Sequence, residues 1–413
     1  MKIVVLITGL IIGLTTSAQD SLSYYLSLAA KNNPDILQKY YEYEAALQKA
    51  LQVGSLPDPE LNMGVFLNPM ELVSGNQVAD LRLMQVFPWF GTLKAAKDEM
   101  SLMANAKYES LRDAKLQVFF EMQRTWFELC RVEQNIGISE KNINVLRTIE
   151  RLALREFQTG GSGLVDLYRI QIEIGDLENN IALLKNQQNT LVAQFNSYLN
   201  RPVITPVSVP NTLLANTLEI SLLAVSDSML ANNPMLGMLQ YEQHSLDSRK
   251  AMVTKMGYPM IGLGVNYSVI NKNAMSTSAM NGKDMIMPMV TVTLPIYRKK
   301  YKAMQTEADL SKAVTAQSYT ASANSLKTEY YQAVQLYQDA QRRVTLYVSQ
   351  SLLAGKSLEV MIKSFTASGS GLTDILRVRQ QALDYDYKQV EAVTDNNIAI
   401  AWLKRLTAYQ QVQ

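Results

Sequence analysis

Residues 161–171 read GSGLVDLYRIQ, and residues 369–379 read GSGLTDILRVR. The two stretches start 208 residues apart (369 − 161), and in both a Gly-Ser-Gly turn leads into a Leu-x-Asp-aliphatic helix start. A glycine-rich loop before a helix is typical of a phosphate-binding loop or of a turn between two helices. Both stretches lack the lysine and the Ser/Thr of a phosphate-binding loop, and neither follows a strand pattern. The sequence therefore favours a turn between antiparallel helices.

The sequence upstream of each turn is duplicated too. The Asn-Asn-Pro of residues 32–34 recurs at residues 232–234, at an offset of 200. Phe-Pro-Trp-Phe at residues 87–90 is matched by Leu-Pro-Ile-Tyr at residues 294–297, at an offset of 207. A repeat of roughly 200 residues is far longer than a solenoid repeat, so the sequence predicts two copies of one structural unit.

Each unit carries a pair of strand patterns in which apolar residues alternate with polar or small ones. Such hairpins fit a soluble sandwich or the strands of an outer-membrane barrel. In a membrane four strands cannot close a barrel, so the membrane interpretation requires several copies of the chain. The strands are predicted at residues 59–67, 78–87, 259–269 and 285–294, joined in pairs by long polar connections.

The rest of the sequence is helical at unusual length. Residues 92–159 contain no proline and one glycine, so at about 1.5 Å per residue one helix reaches roughly 100 Å. Apolar residues recur there at spacings of three and four, and the spacing continues after both glycine turns. This pattern predicts long coiled-coil seams. A soluble spectrin-like bundle would explain the seams but not the alternating hairpins.

The N-terminus, MKIVVLITGLIIGLTTSAQD, predicts a secretory signal peptide of residues 1–18. One lysine precedes the apolar stretch Ile3–Leu14, and the small residues Thr16 and Ala18 precede the expected cleavage before Gln19. No other segment holds 18 uninterrupted apolar residues. We expect a mature protein without a transmembrane helix, which would enter a membrane only as strands.

The composition argues against several classes of function. The formal charge is +2 with no run of five like charges, so we expect no nucleic-acid partner. His244 is the only histidine and lies in a polar helical run, which argues against a catalytic triad. The single cysteine, Cys130, lies in a helical pattern that favours a packed thiol over a reactive one. We predict no enzyme activity and no cofactor.

The order of helix, hairpin, long helix, glycine turn and helix, present twice, resembles the TolC family of outer-membrane channel-tunnels. The resemblance covers nearly the whole mature chain and includes both Gly-Ser-Gly-Leu-x-Asp turns. The stretch Gln85-Val86-Phe87-Pro88-Trp89-Phe90-Gly91 is similar to the strand-to-helix exit of the family's heavy-metal efflux branch. Its counterpart in the second repeat is Leu294-Pro295-Ile296-Tyr297.

The resemblance implies a mainly α-helical fold with a β-hairpin membrane part. Three chains would each give four strands to one 12-stranded β-barrel and their long antiparallel coiled-coil helices to a periplasmic α-barrel. The implied partners are the other copies of a homotrimer, a periplasmic adaptor (membrane fusion) protein, an inner-membrane RND-type pump and outer-membrane lipid. The implied location is the outer membrane of a Gram-negative-type bacterium, with the helical barrel in the periplasm.

The mature chain would then divide into two repeats with matching segments. The first helices, the membrane β-hairpin and the long helical hairpin are predicted at residues 19–54, 55–90 and 91–200 in repeat 1 and at residues 217–257, 258–296 and 297–407 in repeat 2, with an equatorial linker at 201–216 and a tail at 408–413.

The resemblance places the two glycine turns at the periplasmic tips, where the tunnel narrows and the adaptor makes contact. Asp166 and Asp374 match acidic residues at the closed end, so a trimer would hold carboxylate rings in its bore. Three residues on, where the family has a second acidic residue, stand Arg169 and Arg377. This departure favours an Asp-Arg network that keeps the tip closed; stabilisation of the helix dipole by Asp explains the pattern equally well. The adaptor-contacting residues implied are Gly161, Ser162, Gly163, Gly369, Ser370 and Gly371.

Methionine is unusually frequent, at 20 residues. Met285, Met287 and Met289 share the parity of the threonines in their strand and so lie on the predicted lumen face, as does Met260. Thioethers suit soft ions such as Cu(I) or Ag(I), so transient metal contacts are one interpretation. Pliable apolar filling is the other.

The resemblance thus implies a passive exit duct of a tripartite efflux system, for heavy-metal cations or small toxic compounds delivered by the pump and adaptor. The duct would open when the adaptor pulls the two glycine hairpins outwards. The alternatives are a type I secretion duct and a soluble periplasmic coiled-coil scaffold or adaptor without a pore.

Overall fold

A computed structural model of the chain describes residues 22–158, 163–218, 229–368 and 371–408. They form two compact units. The first comprises the described residues of Met1–Leu37, Ala114–Met229 and Thr328–Gln413, and the second those of Gln38–Asp113 and Leu230–Lys327. The predicted signal peptide and residues 409–413 of the predicted tail lie outside the described residues.

The described elements alternate twice between helices and a strand pair. The prediction of a mainly helical chain with a small antiparallel β part is confirmed. None of the helices in the described ranges combines the length and the apolar character needed to cross a membrane. In chain order the elements are α1 (Leu22–Asn32), α2 (Pro34–Val53), β1 (Glu60–Leu72), β2 (Gly75–Phe87), α3 (Thr92–Gln158), α4 (Leu164–Tyr198), α5 (Pro234–Met256), β3 (Met260–Asn271), β4 (Met285–Thr293), α6 (Arg298–Ser368) and α7 (Leu372–Leu406).

The duplicated Asn-Asn-Pro motif starts a helix in each repeat. The side-chain oxygen of Asn33 accepts hydrogen bonds from the backbone N–H groups of Asp35 and Ile36, at 3.0 and 3.2 Å. Asn233 caps α5 in the same way, with 3.0 Å to the N–H of Met235. The proline that follows has no N–H to leave unpaired, so it is well suited to the first helical position.

Two of the hydrophobic cores of the first unit lie between its long helices. In one, the ring of Tyr25 packs 5.1 Å from that of Phe195 and 5.6 Å from that of Trp126. The other, which we call the hairpin core, lies next to the two glycine turns and joins four helices. Its centre is formed by Leu146 of α3, Ile170 of α4, Phe365 of α6 and Ile375 of α7, each at most 2% exposed.

Buried asparagines hold the irregular segment after α4 in the first unit. Asn196 donates from its amide nitrogen to the carbonyls of Val203 and Thr205, at 2.9 and 2.8 Å. Asn397 of α7 donates to the carbonyl of Leu214 at 2.9 Å and accepts from the backbone of Asn216 at 2.8 Å. These amides replace the backbone partners that a proline-rich segment cannot find in a helix or sheet.

The second unit contains a four-stranded antiparallel sheet in the order β1-β2-β3-β4. The predicted ten-residue connection of residues 68–77 is wrong, because β1 continues to Leu72 and β2 begins at Gly75. Pro69 lies where the β1–β2 register shifts, and Gly75 has a φ of +121°. Proline has no N–H and is tolerated at such an irregularity of an edge strand. The strand β1 therefore continues through Pro69 in spite of the polar residues around it.

Candidate functional site

The two faces of the sheet differ in chemistry and in exposure. The apolar face carries aliphatic side chains that lie open on the surface of the chain; Val65 is 77% exposed and Val290 is 70% exposed. The polar face is the more sheltered, and Gly262, Asn266 and Ser268 of β3 are buried there. In the continuous register the apolar face includes Leu61, Met63, Val65, Leu81, Leu83, Ile261, Leu263, Val265, Ile286, Val290 and Val292, together with Gln85 and Tyr267, and the polar face includes Glu60, Asn62, Asp80, Arg82, Asn266, Ser268, Thr291 and Thr293.

The predicted strand-to-helix exit of the first repeat forms a tight aromatic corner. Phe87 ends β2, Pro88 follows, and the indole ring of Trp89 stacks on the ring of Tyr258 at 5.1 Å. Gly91 has a φ of +78°, so a larger residue would be strained there, and the Lys255 ammonium lies 2.5 Å from the place that its Cβ would take. Phe90 points out of the corner and is exposed.

The second exit, at Leu294 and Pro295, reaches the same region of the second unit. The Arg298 guanidinium at the start of α6 donates to the carbonyl of Gly257 at 2.9 Å. Ile296 and Tyr297 are exposed beside it. Both sheet-to-helix junctions therefore present exposed apolar or aromatic side chains next to basic ones, a composition typical of a membrane–water boundary.

At the glycine turns the structure brings the starts of α4 and α7 together. Arg169 lies 3.6 Å from the Asp166 carboxylate and donates a hydrogen bond of 3.0 Å to Thr373 of α7. Arg377 lies 3.0 Å from the Asp374 carboxylate within its own helix. The two predicted Asp-Arg pairs are thus local pairs at i and i+3, and Arg169 alone of these four residues links the two hairpins among the described residues.

The last glycines of the two turns, Gly163 and Gly371, differ in backbone conformation. Gly163 precedes α4 with a φ of −89°, which any residue adopts, whereas Gly371 precedes α7 with a φ of +96°. Neither helix start receives a side-chain capping hydrogen bond. Gly161, Ser162, Gly369 and Ser370 lie outside the described residues.

The hairpin core contains a buried arginine that the sequence analysis missed. Arg379 of α7 is 1% exposed and donates to the carbonyl and to the side-chain oxygen of Asn142 on α3, at 2.6 and 2.7 Å. Its Nη1 lies 3.9 Å from the Glu173 carboxylate of α4, too far for a hydrogen bond. Burial lowers the pKa of Arg379 to about 10 against the effect of Glu173, and burial raises the pKa of Glu173.

A second polar contact crosses the same helices. The Tyr387 hydroxyl of α7 lies 2.5 Å from the Ser139 hydroxyl of α3 and accepts a hydrogen bond of 3.2 Å from Asn180 of α4.

The sequence does contain a signal for the buried Arg379. This residue lies three residues after Leu376 and four before Leu383, in the middle of a heptad seam. A charged residue at a position that is usually apolar indicates a buried polar contact.

The four predicted lumen methionines lie on the polar face, as their strand parity required. Met289 is opposite Gly264, Met287 is opposite Asn266, and Met285 is opposite Ser268. Met84, which the sequence analysis did not single out, is opposite Gly264 from the other side.

No family profile and no curated protein matches the sequence. Solved structures match it over almost its entire length. The chain has the fold of outer-membrane channels of the TolC family. CusC is 13% identical with a TM-score of 0.78, over 94% of this chain and 91% of that one. The outer membrane protein VceC of Vibrio cholerae is 14% identical with a TM-score of 0.77, over 94% and 97%. The outer membrane channel CmeC of Campylobacter jejuni is 14% identical with a TM-score of 0.77, over 96% and 88%.

Proposed function

We propose that the protein is an outer-membrane channel that serves as a passive exit duct of a tripartite efflux system. The observation that carries the proposal is the exposed apolar face of the sheet, which would be costly to leave in water. Lipid is the environment in which an aliphatic outer face and a polar inner face are both stable. The fold shared with outer-membrane channels supports the same conclusion.

The free edges of the sheet support a closed oligomer. Within the described residues β1 pairs only with β2, and β4 pairs only with β3, so each outer edge leaves backbone groups without a strand partner. Unpaired edges are not tolerated in hydrocarbon. If β4 of one copy pairs with β1 of the next, three copies close a barrel of 12 strands (3 × 4), and no edge remains. A trimer would also provide cover for Leu310 and Val314 on α6, which are exposed in the single chain.

The duct needs no chemistry of its own. In the proposed assembly an inner-membrane pump supplies the energy, and an adaptor contacts the α3–α4 and α6–α7 hairpins and opens the tip. The Asp166–Arg169 and Asp374–Arg377 pairs would lie at that tip. Polar side chains along the inner face of the sheet would then line the exit.

Two neighbouring positions of β4 test the proposal. Val290 lies on the apolar face and Thr291 on the polar face. Val290→Arg would place a charge in lipid at a cost of about 2–4 kcal/mol near the midplane, so we expect much less trimer in the outer membrane. Thr291→Arg should assemble normally and lower the cation conductance of the trimer in planar bilayers.

The readouts are detergent extraction, trimer yield and single-channel conductance. Release of the wild-type chain by osmotic shock as a soluble species would exclude the duct and favour the scaffold. Equal trimer yields from Val290→Arg and Thr291→Arg would show that the apolar face does not contact lipid.

A further inference from the structure

The methionines of the sheet are divided unequally between its faces. Met63 is the one methionine on the apolar face within the continuous register of the described strands, although aliphatic residues predominate there. Small and polar residues predominate on the polar face, where pliable apolar filling has few apolar neighbours to pack against. The methionines on that polar face are Met84, Met260, Met285, Met287 and Met289.

The thioether of Met84 lies across the neighbouring strand. A Cβ at Gly262 would meet its sulfur at 3.2 Å, and a Cβ at Gly264 would meet it at 3.1 Å. The sulfur also lies 3.8 Å from the Thr291 hydroxyl on β4. The two glycines therefore leave the space in which the Met84 side chain crosses β3 towards β4.

Met289 completes the arrangement from the other side. Met84, Gly264 and Met289 form one cross-strand row. Strands are about 4.8 Å apart, so the two methionine backbones are separated by about 10 Å, with only a glycine between them. Two flexible thioether side chains on one face can bring their sulfurs together over such a gap.

The surroundings favour a soft cation over other ligands. Thioether sulfur is a preferred ligand of Cu(I) among the common metals, and Ag(I) shares this preference. In the next row Met287 is opposite Asn266, whose side-chain oxygen is buried and has no hydrogen-bond partner among the described residues. An acceptor left unpaired there suits a positive ion, although Arg82, which is opposite Asn266 from the other side, adds a positive charge to the same row.

We propose that Met84 and Met289, with Met287 beside them, form a thioether site for a soft monovalent cation, Cu(I) or Ag(I), on the polar face of the sheet. Its position in a channel lumen rests on the proposed function, whereas the site itself is built by a single sheet. In a trimer three such sites would surround the exit. Weak, repeated sites of this kind allow an ion to enter and to leave.

Silver binding to the purified full-length protein tests the site. Ag(I) is titrated in chloride-free buffer, and bound silver per chain is measured after gel filtration. Met84→Leu/Met289→Leu should lose one silver per chain or bind it about tenfold or more weakly. Met63→Leu is the matched control on the apolar face and should bind as the wild type does. The buried Cys130 is present in all three proteins, so its contribution cancels.

Gly262→Ala provides a second variant that keeps both sulfurs. Its added Cβ would displace the Met84 sulfur from 3.2 Å and should weaken silver binding. The proposal is overturned if the wild type binds no silver, or if both the double variant and Gly262→Ala bind as Met63→Leu does. Conductance of the same preparation separates the two proposals. A conducting trimer without silver binding overturns the site alone, and a non-conducting soluble chain that binds silver overturns the duct alone.

Discussion

The two hairpin turns have nearly the same sequence but are held in different ways. Arg379 follows the second turn and is buried against Asn142, whereas the equivalent residue of the first repeat, Gln171 (379 − 208), donates to Glu150 at 3.0 Å on the surface. Gly371 adopts a left-handed conformation that Gly163 does not. After duplication the two copies kept the turn and diverged at the side chains that fix it. The second hairpin has become the one with a polar anchor in the core.

Removing the anchor should have the largest effect. Arg379→Ala leaves a cavity, an Asn142 side-chain oxygen without its donor and an uncompensated Glu173, and losing one partner of such a buried group costs about 3 kcal/mol or more. Because every 1.4 kcal/mol is a factor of ten, amide hydrogen exchange in residues 372–383 should rise about a hundredfold. Gln171→Ala, at the matching position of the first hairpin, should leave exchange in residues 164–177 nearly unchanged.

Arg379→Met separates polar anchoring from filling of space. Methionine keeps most of the volume and removes the cost of burying a charge, so packing alone would leave exchange close to the wild-type rate. An increase in Arg379→Met comparable with that in Arg379→Ala would assign the effect to the hydrogen bonds with Asn142. If Arg379→Ala leaves amide hydrogen exchange unchanged, this residue does not anchor the second hairpin. The different contacts at positions 171 and 379 would then not make the two hairpins differ in stability.

The comparison also shows which parts of the molecule the sequence could predict. The helices and the two faces of each strand follow from local periodicity, so the helical fold and the face that carries Thr291 and Met289 were predictable from residue spacing. The duplicated turns were predictable from their repeated motif. The continuous β1–β2 hairpin was not predictable, because the segment of residues 68–77 has the proline and polar composition of a loop. Arg379 was missed because its partner Asn142 lies 237 residues away. A charge within a seam signals such a partner without identifying it.

The glycine of the second turn should have an intermediate effect. An alanine at Gly371 would have to adopt the left-handed conformation, at a cost of about 1–2 kcal/mol, although a Cβ there meets no other atom within 4 Å. Gly163→Ala shares the loss of a glycine next to a helix start but requires no unusual φ. Thermal unfolding in detergent should therefore show a lower midpoint for Gly371→Ala than for Gly163→Ala. Equal midpoints would mean that the chain relieves the left-handed conformation at no cost.

The exposed arginines should have the smallest effect, and they test how the tips are held together. Arg169 reaches Thr373 of the other hairpin, whereas Arg377 pairs only with Asp374 of its own helix among the described residues. Exposed pairs contribute little, so Arg169→Gln should raise the open probability of the trimer by a factor of about two, and Arg377→Gln should not change it. If the two variants behave alike in single-channel recordings, the link from Arg169 to Thr373 does not hold the hairpins together. In the part of the chain that the structure describes, the second hairpin would then depend on Arg379, Tyr387 and the hairpin core.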